Sequence, residues 1–254
     1  MKFEGYILVE GRAALSHKRS GMEIYMNIAL ILAGGSGVRL GSDIPKQYIS
    51  INGKAVITYC LAVFGAHPQI DAIQIVAHKE WQESISREMT KAVLDKFMGF
   101  SAPGSNRQYS IFHGLQDIVQ YAKKTDIVIV HDAARPLVSA SLLASCINVC
   151  KEHDGVLPVL PMKDTVYLGD GNQITSLLER EKVYAGQAPE AFVLGKYYEA
   201  NRRLIPDGIE RINGSTEPAI MAGMDIAMIP GEEGNFKITT QADLERFKTL
   251  LNGE

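Results

Sequence analysis

The sequence has 254 residues, of which 46% are hydrophobic and 22% are charged, and its formal net charge is −3 at pH 7. This balance is typical of a soluble globular protein. The slight negative charge argues against a general binder of nucleic acid or of an anionic membrane, because such proteins carry basic patches. The apolar runs are far shorter than the ~20 residues that cross a bilayer. Three cysteines without a paired framework favour a reducing compartment, so we expect a cytoplasmic protein.

The first 25 residues differ from the rest of the chain. They mix charged and small residues without periodicity and lack the apolar core of a signal peptide. Met26 directly precedes the first strong strand pattern. We therefore interpret residues 1–25 as a leader or a cloning remnant with no assigned function, and residues 26–254 as a single domain.

Strand and helix patterns alternate from Asn27 onward. Buried strands are expected at Ile28–Leu32, Ile73–Ala77, Ile127–Val130, Gly155–Val159 and Ala227–Ile229. Helical spacing predicts helices at Val56–Gly65, Gln82–Phe97, Ser110–Tyr121, Leu142–Lys151 and Asp243–Leu250. Strands separated by single helices predict an α/β, Rossmann-like fold, with a mostly parallel sheet covered by helices on both faces.

The stretch from about 160 to 192 interrupts this alternation. Short β-like segments at Thr165–Leu168 and Ile174–Leu177 flank the turn Gly169-Asp170-Gly171-Asn172, which is a hairpin signal. A hairpin inserted late in an α/β domain often packs on another subunit. We therefore expect an arm at about 160–192 and a homodimer.

A glycine-rich loop follows the first strand. It reads Ala33-Gly34-Gly35-Ser36-Gly37-Val38-Arg39-Leu40 and leads to Lys46. Ligands of open α/β sheets bind beyond the carboxyl ends of the strands, and glycines let backbone N–H groups approach a polyanion. The loop lacks the Gly-Lys-Ser/Thr of P-loops and the last glycine of the dinucleotide fingerprint. A tight turn explains the glycines but not both cations, Arg39 and Lys46, so the loop is expected to hold phosphates.

Two further clusters lie near other strand ends. Asp132, in His131-Asp132-Ala133-Ala134-Arg135-Pro136, could ligate Mg²⁺, although a lone aspartate there is more often a helix cap. Lys237, in Gly234–Thr240, could stabilise charge on a reacting phosphate, or it could belong to an edge strand before the last helix. Spacing alone leaves both alternatives open.

Together these motifs resemble the cytidylyltransferases that activate 2-C-methyl-D-erythritol 4-phosphate, and their ribitol 5-phosphate relatives. The likeness runs from Asn27 to about Leu251. In the order of that family, the motifs are L-A-G-G-x-G-x-R-L-G with P-K-Q-Y, G-S-N-R-Q-Y-S, H-D-A-A-R-P, K-D-T and N-x-K-I-T-T. The resemblance implies transfer of CMP from CTP to a small polyol phosphate, with Mg²⁺ as cofactor and release of pyrophosphate.

The resemblance also implies a role for each matching residue. Catalytic charge would come from Arg39, Lys46 and Lys237, and Asp132 would bind Mg²⁺. Nucleotide contacts would come from Ala33, Gly34, Gly35, Gly37, Gly104, Ser105, Ser110 and Asp132. Contacts with the polyol phosphate would come from Arg135, Thr165, Arg180, Asn213 and Thr216, with Arg180 reaching in from the arm of a partner subunit. Arg107 is interpreted as a surface residue.

The sequence departs from the family pattern on the acceptor side. The family's glutamine-threonine-proline-glutamine reads Gln187-Ala188-Pro189-Glu190 here, and its threonine-aspartate pair is replaced by Asn213-Gly214 or Thr216-Glu217, depending on register. The acceptor therefore stays open between the two polyol phosphates. Two alternatives also stay open: a sugar-phosphate nucleotidyltransferase that uses another NTP, and an inactive nucleotide-binding regulator. The first does not predict H-D-A-A-R-P, and the second does not need the full set of charges.

Overall fold

The computed structural model describes residues 25–35 and 44–253. Its strands are β1 (Asn27–Leu32), β2 (Ser50–Ile51), β3 (Lys54–Ala55), β4 (Ala72–Val76), β5 (Phe97–Ser101), β6 (Ile127–Asp132), β7 (Gly155–Pro161), β8 (Tyr167–Gly169), β9 (Ile174–Leu177), β10 (Tyr184–Gly186), β11 (Glu190–Val193) and β12 (Ile226–Pro230). Its helices are α1 (Val56–Ala66), α2 (Lys79–Glu88), α3 (Lys91–Leu94), α4 (Arg107–Ile118), α5 (Ala140–Cys150), α6 (Leu194–Arg202), α7 (Glu217–Met221) and α8 (Gln241–Asn252).

The main sheet is mostly parallel, as the sequence predicts. Its strand order is β10-β7-β11-β6-β1-β4-β5, and β12 pairs with β7. The β1–β4, β1–β6, β4–β5 and β12–β7 pairs are parallel, whereas β10 and β11 pair antiparallel with their neighbours. Leu32 lies opposite Asp132 in the β1–β6 register. The end of β1 and Asp132 therefore share one edge of the sheet, where ligands of this fold class bind.

Helices cover both faces of the sheet because side chains along β1 alternate in direction. Ala29 and Ile31 pack in a core with α1 and α5, whereas Ile28 and Leu30 pack in a second core with α4 and α6. All four side chains are fully buried, and burial of one large aliphatic side chain contributes about 1.5–3 kcal/mol. In α4, a Cβ on Gly114 would lie 2.4 Å from Leu30 Cδ1, so a larger residue there would have to displace the Leu30 side chain.

One predicted helix is wrong. The pattern at Gln82–Phe97 predicts a single helix, but α2 ends at Glu88 and α3 begins at Lys91. The side chain of Thr90 accepts a hydrogen bond from Val93 N and caps the second helix. Phe97 instead begins β5, which pairs with β4. The helical spacing of apolar residues gives no sign of the cap at Thr90 or of the pairing between β4 and β5.

The hairpin of β8 and β9 forms a small sheet of its own. Every residue from Tyr167 to Lys182 is exposed, and we call this segment the arm. It is shorter than the expected range of 160–192, because β10 and β11 pair with strands of the main sheet. Leu177 and Ile174 in the arm are 78% and 64% exposed.

Among the described residues, no helix combines the length and the apolar character that a membrane span requires.

Candidate active site

A cleft of about 720 Å³ opens at the edge of the sheet where β1 and β6 end. It brings together most of the residues expected to contact a nucleotide: Gly34, Gly35, Lys46, Gly104, Ser105, Ser110, Asp132 and Lys237. Ala33 is buried directly beside them. Gly37 and Arg39 lie outside the described residues, so their roles stay predictions.

The first residues of the glycine-rich loop are held at the sheet edge by side chains from the segment that follows. Gln47 Nε2 donates to the carbonyls of Ala33 and Gly35, both at 2.7 Å, and the Tyr48 hydroxyl donates to Ala33 O at 2.8 Å. Gly34 is required for close packing, because a Cβ there would lie 2.5 Å from Pro103 Cβ. The Pro45-Lys46-Gln47-Tyr48 motif thus holds Ala33 and Gly35, where the loop begins, in addition to supplying Lys46.

The motif around Gly104 folds tightly at the start of α4. Ser110 Oγ accepts from Gly104 N at 3.0 Å and donates to Asn106 O at 2.9 Å, while Asn106 Oδ1 caps the helix through Tyr109 N at 2.8 Å. A Cβ on Gly104 would lie 2.2 Å from Tyr109 Cβ, so glycine is required here also. The amino end of α4 lines the cleft. The dipole of a helix favours anions at that end.

Asp132 lies at the centre of a cluster of charges. Arg107 Nε lies 3.1 Å from Asp132 Oδ1, and Lys237 Nζ lies 3.0 Å from Oδ2. Arg135 Nε is 3.9 Å from Oδ2. Burial by itself raises the pKa of Asp132, but Arg107, Lys237 and Arg135 outweigh burial and hold the pKa well below its usual range. Three cations around one carboxylate leave an excess of positive charge, which suits a polyanion.

Arg107 lines the cleft, although the sequence interpretation placed it on the surface. Its side chain is 29% exposed, and Nη2 lies 4.0 Å from Glu190 Oε1, so the guanidinium stands between two carboxylates. Burial lowers the pKa of Arg107, but Asp132 and Glu190 raise it by more. The sequence feature that could have placed Arg107 in the cleft is its position in G-S-N-R-Q-Y-S, three residues before Ser110, which was expected to contact the nucleotide.

His131 is fully buried in β6. Its Nε2 lies 3.0 Å from Arg135 O, and burial lowers the pKa of the ring to about 4. A neutral, buried ring suits a structural role at the strand end rather than proton transfer in the cleft. Arg135 Nη1 donates to Asn235 O at 2.7 Å, which links β6 to the segment that carries Lys237.

Of the five residues expected to contact the acceptor, Arg135 stands in the charge cluster around Asp132, whereas the other four lie outside the lining of the cleft. Thr165 and Arg180 are exposed at or beside the arm, where Arg180 pairs with Glu181 at 3.6 Å. Asn213 is exposed and its backbone N–H donates to Glu217, whereas Thr216 is buried. The roles of all five stay predictions.

The donor set fits a Mg²⁺ ion that arrives with phosphates. Among the described residues, no group of three or more histidine, cysteine or acidic side chains could hold a metal ion. Mg²⁺ commonly takes one or two protein carboxylates and completes its shell with substrate phosphates and water. Asp132 can supply such a carboxylate at the cleft.

Comparison with known proteins identifies the family. The sequence model of the family "IspD: 2-C-methyl-D-erythritol 4-phosphate cytidylyltransferase" matches residues 27–252. The chain belongs to this family. It is 30% identical over 229 residues to the ribitol-5-phosphate cytidylyltransferase of Streptococcus agalactiae serotype III, with 89% of this chain and 96% of that protein covered.

A second relative is the bifunctional enzyme IspD/IspF of Rhodospirillum rubrum, 34% identical over 230 residues. The match covers 89% of this chain but 57% of that protein, so the chain spans little more than half the length of this relative. The crystal structure of Francisella tularensis 2-C-methyl-D-erythritol 4-phosphate cytidylyltransferase matches with a TM-score of 0.74 and 26% identity, over 87% of this chain and 98% of that one. These matches confirm the predicted fold class and the resemblance.

Proposed function

We propose that this protein is a nucleotidyltransferase that transfers CMP from CTP to a small polyol phosphate and releases pyrophosphate. The observation that carries the proposal is the charge cluster of Arg107, Asp132, Arg135 and Lys237 at the end of β1, where the glycine-rich loop begins. Membership of a cytidylyltransferase family supports the choice of CTP. A binder without activity would need the loop but not this concentration of charge.

The chemistry requires little from the protein beyond position and charge. A phosphate oxygen of the acceptor attacks the α-phosphorus of CTP, and the bond from that phosphorus to the β-phosphate bridging oxygen breaks. The nucleophile is already an anion, so no general base is needed. Lys46 and Lys237 line the cleft from different elements and would neutralise charge in the transition state. Bound Mg²⁺, held by Asp132 and the triphosphate, would supply further neutralisation.

We further propose a homodimer in the cytoplasm. Leu177, Ile174 and Tyr167 expose large apolar surfaces on the arm, and such surfaces commonly mark protein–protein contacts. Thr165 and Arg180 lie at or beside this arm, so a symmetric pair could bring the arm of one subunit to the cleft of the other. The three cysteines are buried and free, which suits a reducing compartment.

One assay tests the activity and separates the alternatives. Pyrophosphate release is followed with each NTP, Mg²⁺ and a panel of 2-C-methyl-D-erythritol 4-phosphate, ribitol 5-phosphate and sugar 1-phosphates. We expect release with CTP and one of the two polyol phosphates. Release only with another NTP and a sugar phosphate would favour the first alternative. CTP binding without release for any acceptor would favour the regulator.

A further inference from the structure

Glu190 is a buried carboxylate behind the cleft, not part of its lining. It begins β11, where it lies opposite Val130 of β6, and is 6% exposed. Both of its oxygens accept hydrogen bonds from the segment before α7: Oε1 from Ser215 Oγ, and Oε2 from Thr216 Oγ1 at 2.6 Å. Two hydroxyl groups from a distant part of the chain thus fix the orientation of this carboxylate.

Among the described residues, the cation nearest to Glu190 is Arg107, which also lines the cleft. Arg107 Nη2 lies 4.0 Å from Glu190 Oε1, while Nε of the same guanidinium lies 3.1 Å from Asp132 Oδ1. Burial raises the pKa of Glu190 above its usual value, and Arg107 and the two hydroxyls offset part of that rise. A buried carboxylate is unfavourable unless it is paired. Its position therefore suits a partner for Arg107 more than a simple core residue.

Asp132 contacts Arg107 at a single point, from Oδ1 to Nε. Its other oxygen, Oδ2, lies 3.0 Å from Lys237 Nζ and 3.9 Å from Arg135 Nε, so Asp132 shares its charge among three cations. A guanidinium is planar, and contacts between two carboxylates and two of its nitrogen atoms, Nε and Nη2, define its direction better than one contact. Glu190 supplies the second contact from behind the cleft.

We infer that Glu190 is a positioning residue that holds Arg107 against Asp132 at the mouth of the cleft, and that Ser215 and Thr216 hold Glu190 in turn. The inference rests on the proposed function for its consequence, which is that Arg107 points at the phosphates of the nucleotide. It also joins the segment from Asn213 to Glu217, which the family resemblance assigns to the acceptor side, to the charge cluster on the nucleotide side.

The first test is a double-mutant cycle of Glu190→Gln and Arg107→Ala. Glu190→Gln keeps the shape of the side chain and removes its charge. We expect kcat to fall about 10- to 100-fold, as for a misplaced catalytic group, while KM for the acceptor changes little. The double variant should match Arg107→Ala alone, because Glu190 acts through that arginine. Additive losses in the cycle would overturn the inference.

A second variant guards against a folding defect. The variant Glu190→Gln/Thr216→Asp moves the carboxylate from position 190 to position 216. In the wild-type protein Thr216 Oγ1 lies 2.6 Å from Glu190 Oε2. We expect this exchange to restore at least part of kcat. The matched control is Asp126→Asn, which removes a buried carboxylate at the opposite end of β6, where it accepts from Met26 N and Lys123 N. This control should lower thermal stability without changing kcat. No recovery in a folded exchange variant would contradict the inference.

Calorimetric binding of CTP with Mg²⁺, without acceptor, separates this inference from the proposed function. Failure of the wild-type protein to bind CTP or to release pyrophosphate contradicts the proposed function. If CTP binds without turnover, the same double-mutant cycle is measured on the dissociation constant of CTP. We then expect the effects of the Glu190 and Arg107 substitutions on that constant to be non-additive. Wild-type kcat and Kd in folded Glu190→Gln would overturn the inference and leave the proposed function intact.

Discussion

The charged side chains of the cleft find partners within the chain, whereas the apolar side chains of the arm are exposed. In the cleft, Asp132 is buried and has three cations around it within the same chain. In the arm, every residue is exposed, and apolar side chains such as Leu177 point away from any core in the described part of the chain. The residues proposed to hold the nucleotide are therefore brought together within one chain. The arm exposes the apolar surface on which the proposed dimer would form.

The largest expected effect tests the cleft. Lys237→Ala and Lys46→Ala should each lower kcat by about 10²-fold or more, because each removes a fixed cation from the transition state. Asp132 keeps Arg107 and Arg135 in the Lys237 variant, so the protein should stay folded. Pyrophosphate release at saturating CTP measures the loss, and circular dichroism checks the fold.

The control for this pair is Lys248→Ala, which removes a lysine that pairs with Glu245 on α8. Its turnover should match that of the wild-type protein. A near-normal kcat in Lys46→Ala or Lys237→Ala would mean that this lysine does not neutralise charge in the transition state.

The next effect tests whether the arm serves the cleft of a partner. Arg180→Ala should lower kcat/KM for the acceptor by about 10- to 100-fold, because it removes a charge-assisted contact to a phosphate. At a low concentration of acceptor both Arg180→Ala and Lys237→Ala should be nearly inactive, and mixing them and allowing subunits to exchange should restore activity. Random pairing makes half of the dimers mixed, and each mixed dimer has one intact site, so about a quarter of the wild-type sites return.

The result of this mixing experiment is decisive in both directions. Recovery requires that Arg180 and Lys237 of one site come from different chains. A mixture as inactive as its components, in a protein that demonstrably exchanges subunits, would show that the arm does not serve the partner's cleft.

A smaller effect is expected from the apolar surface of the arm. Leu177→Asp places a charge on a side chain that is 78% exposed in the single chain. In an isolated chain this surface change should alter stability little, whereas in a dimer it would bury an unpaired charge. We expect about a tenfold or larger rise in the dimer dissociation constant, measured by analytical ultracentrifugation. The control is Asn172→Ala at the exposed hairpin turn, which removes no apolar surface, and an unchanged constant in Leu177→Asp would place the interface elsewhere.

The sequence predicted local patterns well and long-range partners poorly. Glycines and cations near strand ends located the cleft, because the fold class puts those ends at one edge. Arg107 was missed because its two carboxylate partners lie 25 and 83 positions away in the sequence, as the numbers of Asp132 and Glu190 show. The sequence departs from the family pattern in the segment Gln187–Glu190 and again near Thr216, and the structure joins the two segments by a hydrogen bond from Thr216 to Glu190. The sequence pattern alone does not reveal this contact.

The smallest expected effect concerns the wall of the cleft, which depends on a helix cap. Asp243 Oδ2 accepts from the backbone and hydroxyl of Thr239, a cleft residue, and from Thr240, in a capping box at the start of α8. Burial raises the pKa of Asp243, but these hydrogen bonds lower it by more, to about 2. Because the folded pKa lies below the unfolded value, the stabilisation is full above about pH 4 and is lost as the pH falls through about 2.

Asp243→Ala should therefore lower the free energy of unfolding by about 1 kcal/mol at pH 7, in line with the loss of a helix cap. The difference from wild type should shrink at pH 3 in urea unfolding, since the wild-type carboxylate begins to protonate there. Glu245→Ala on the same helix, which loses an exposed pair with Lys248, should show a smaller loss. A difference that persists unchanged to pH 2 would mean that the cap acts through packing and not through charge.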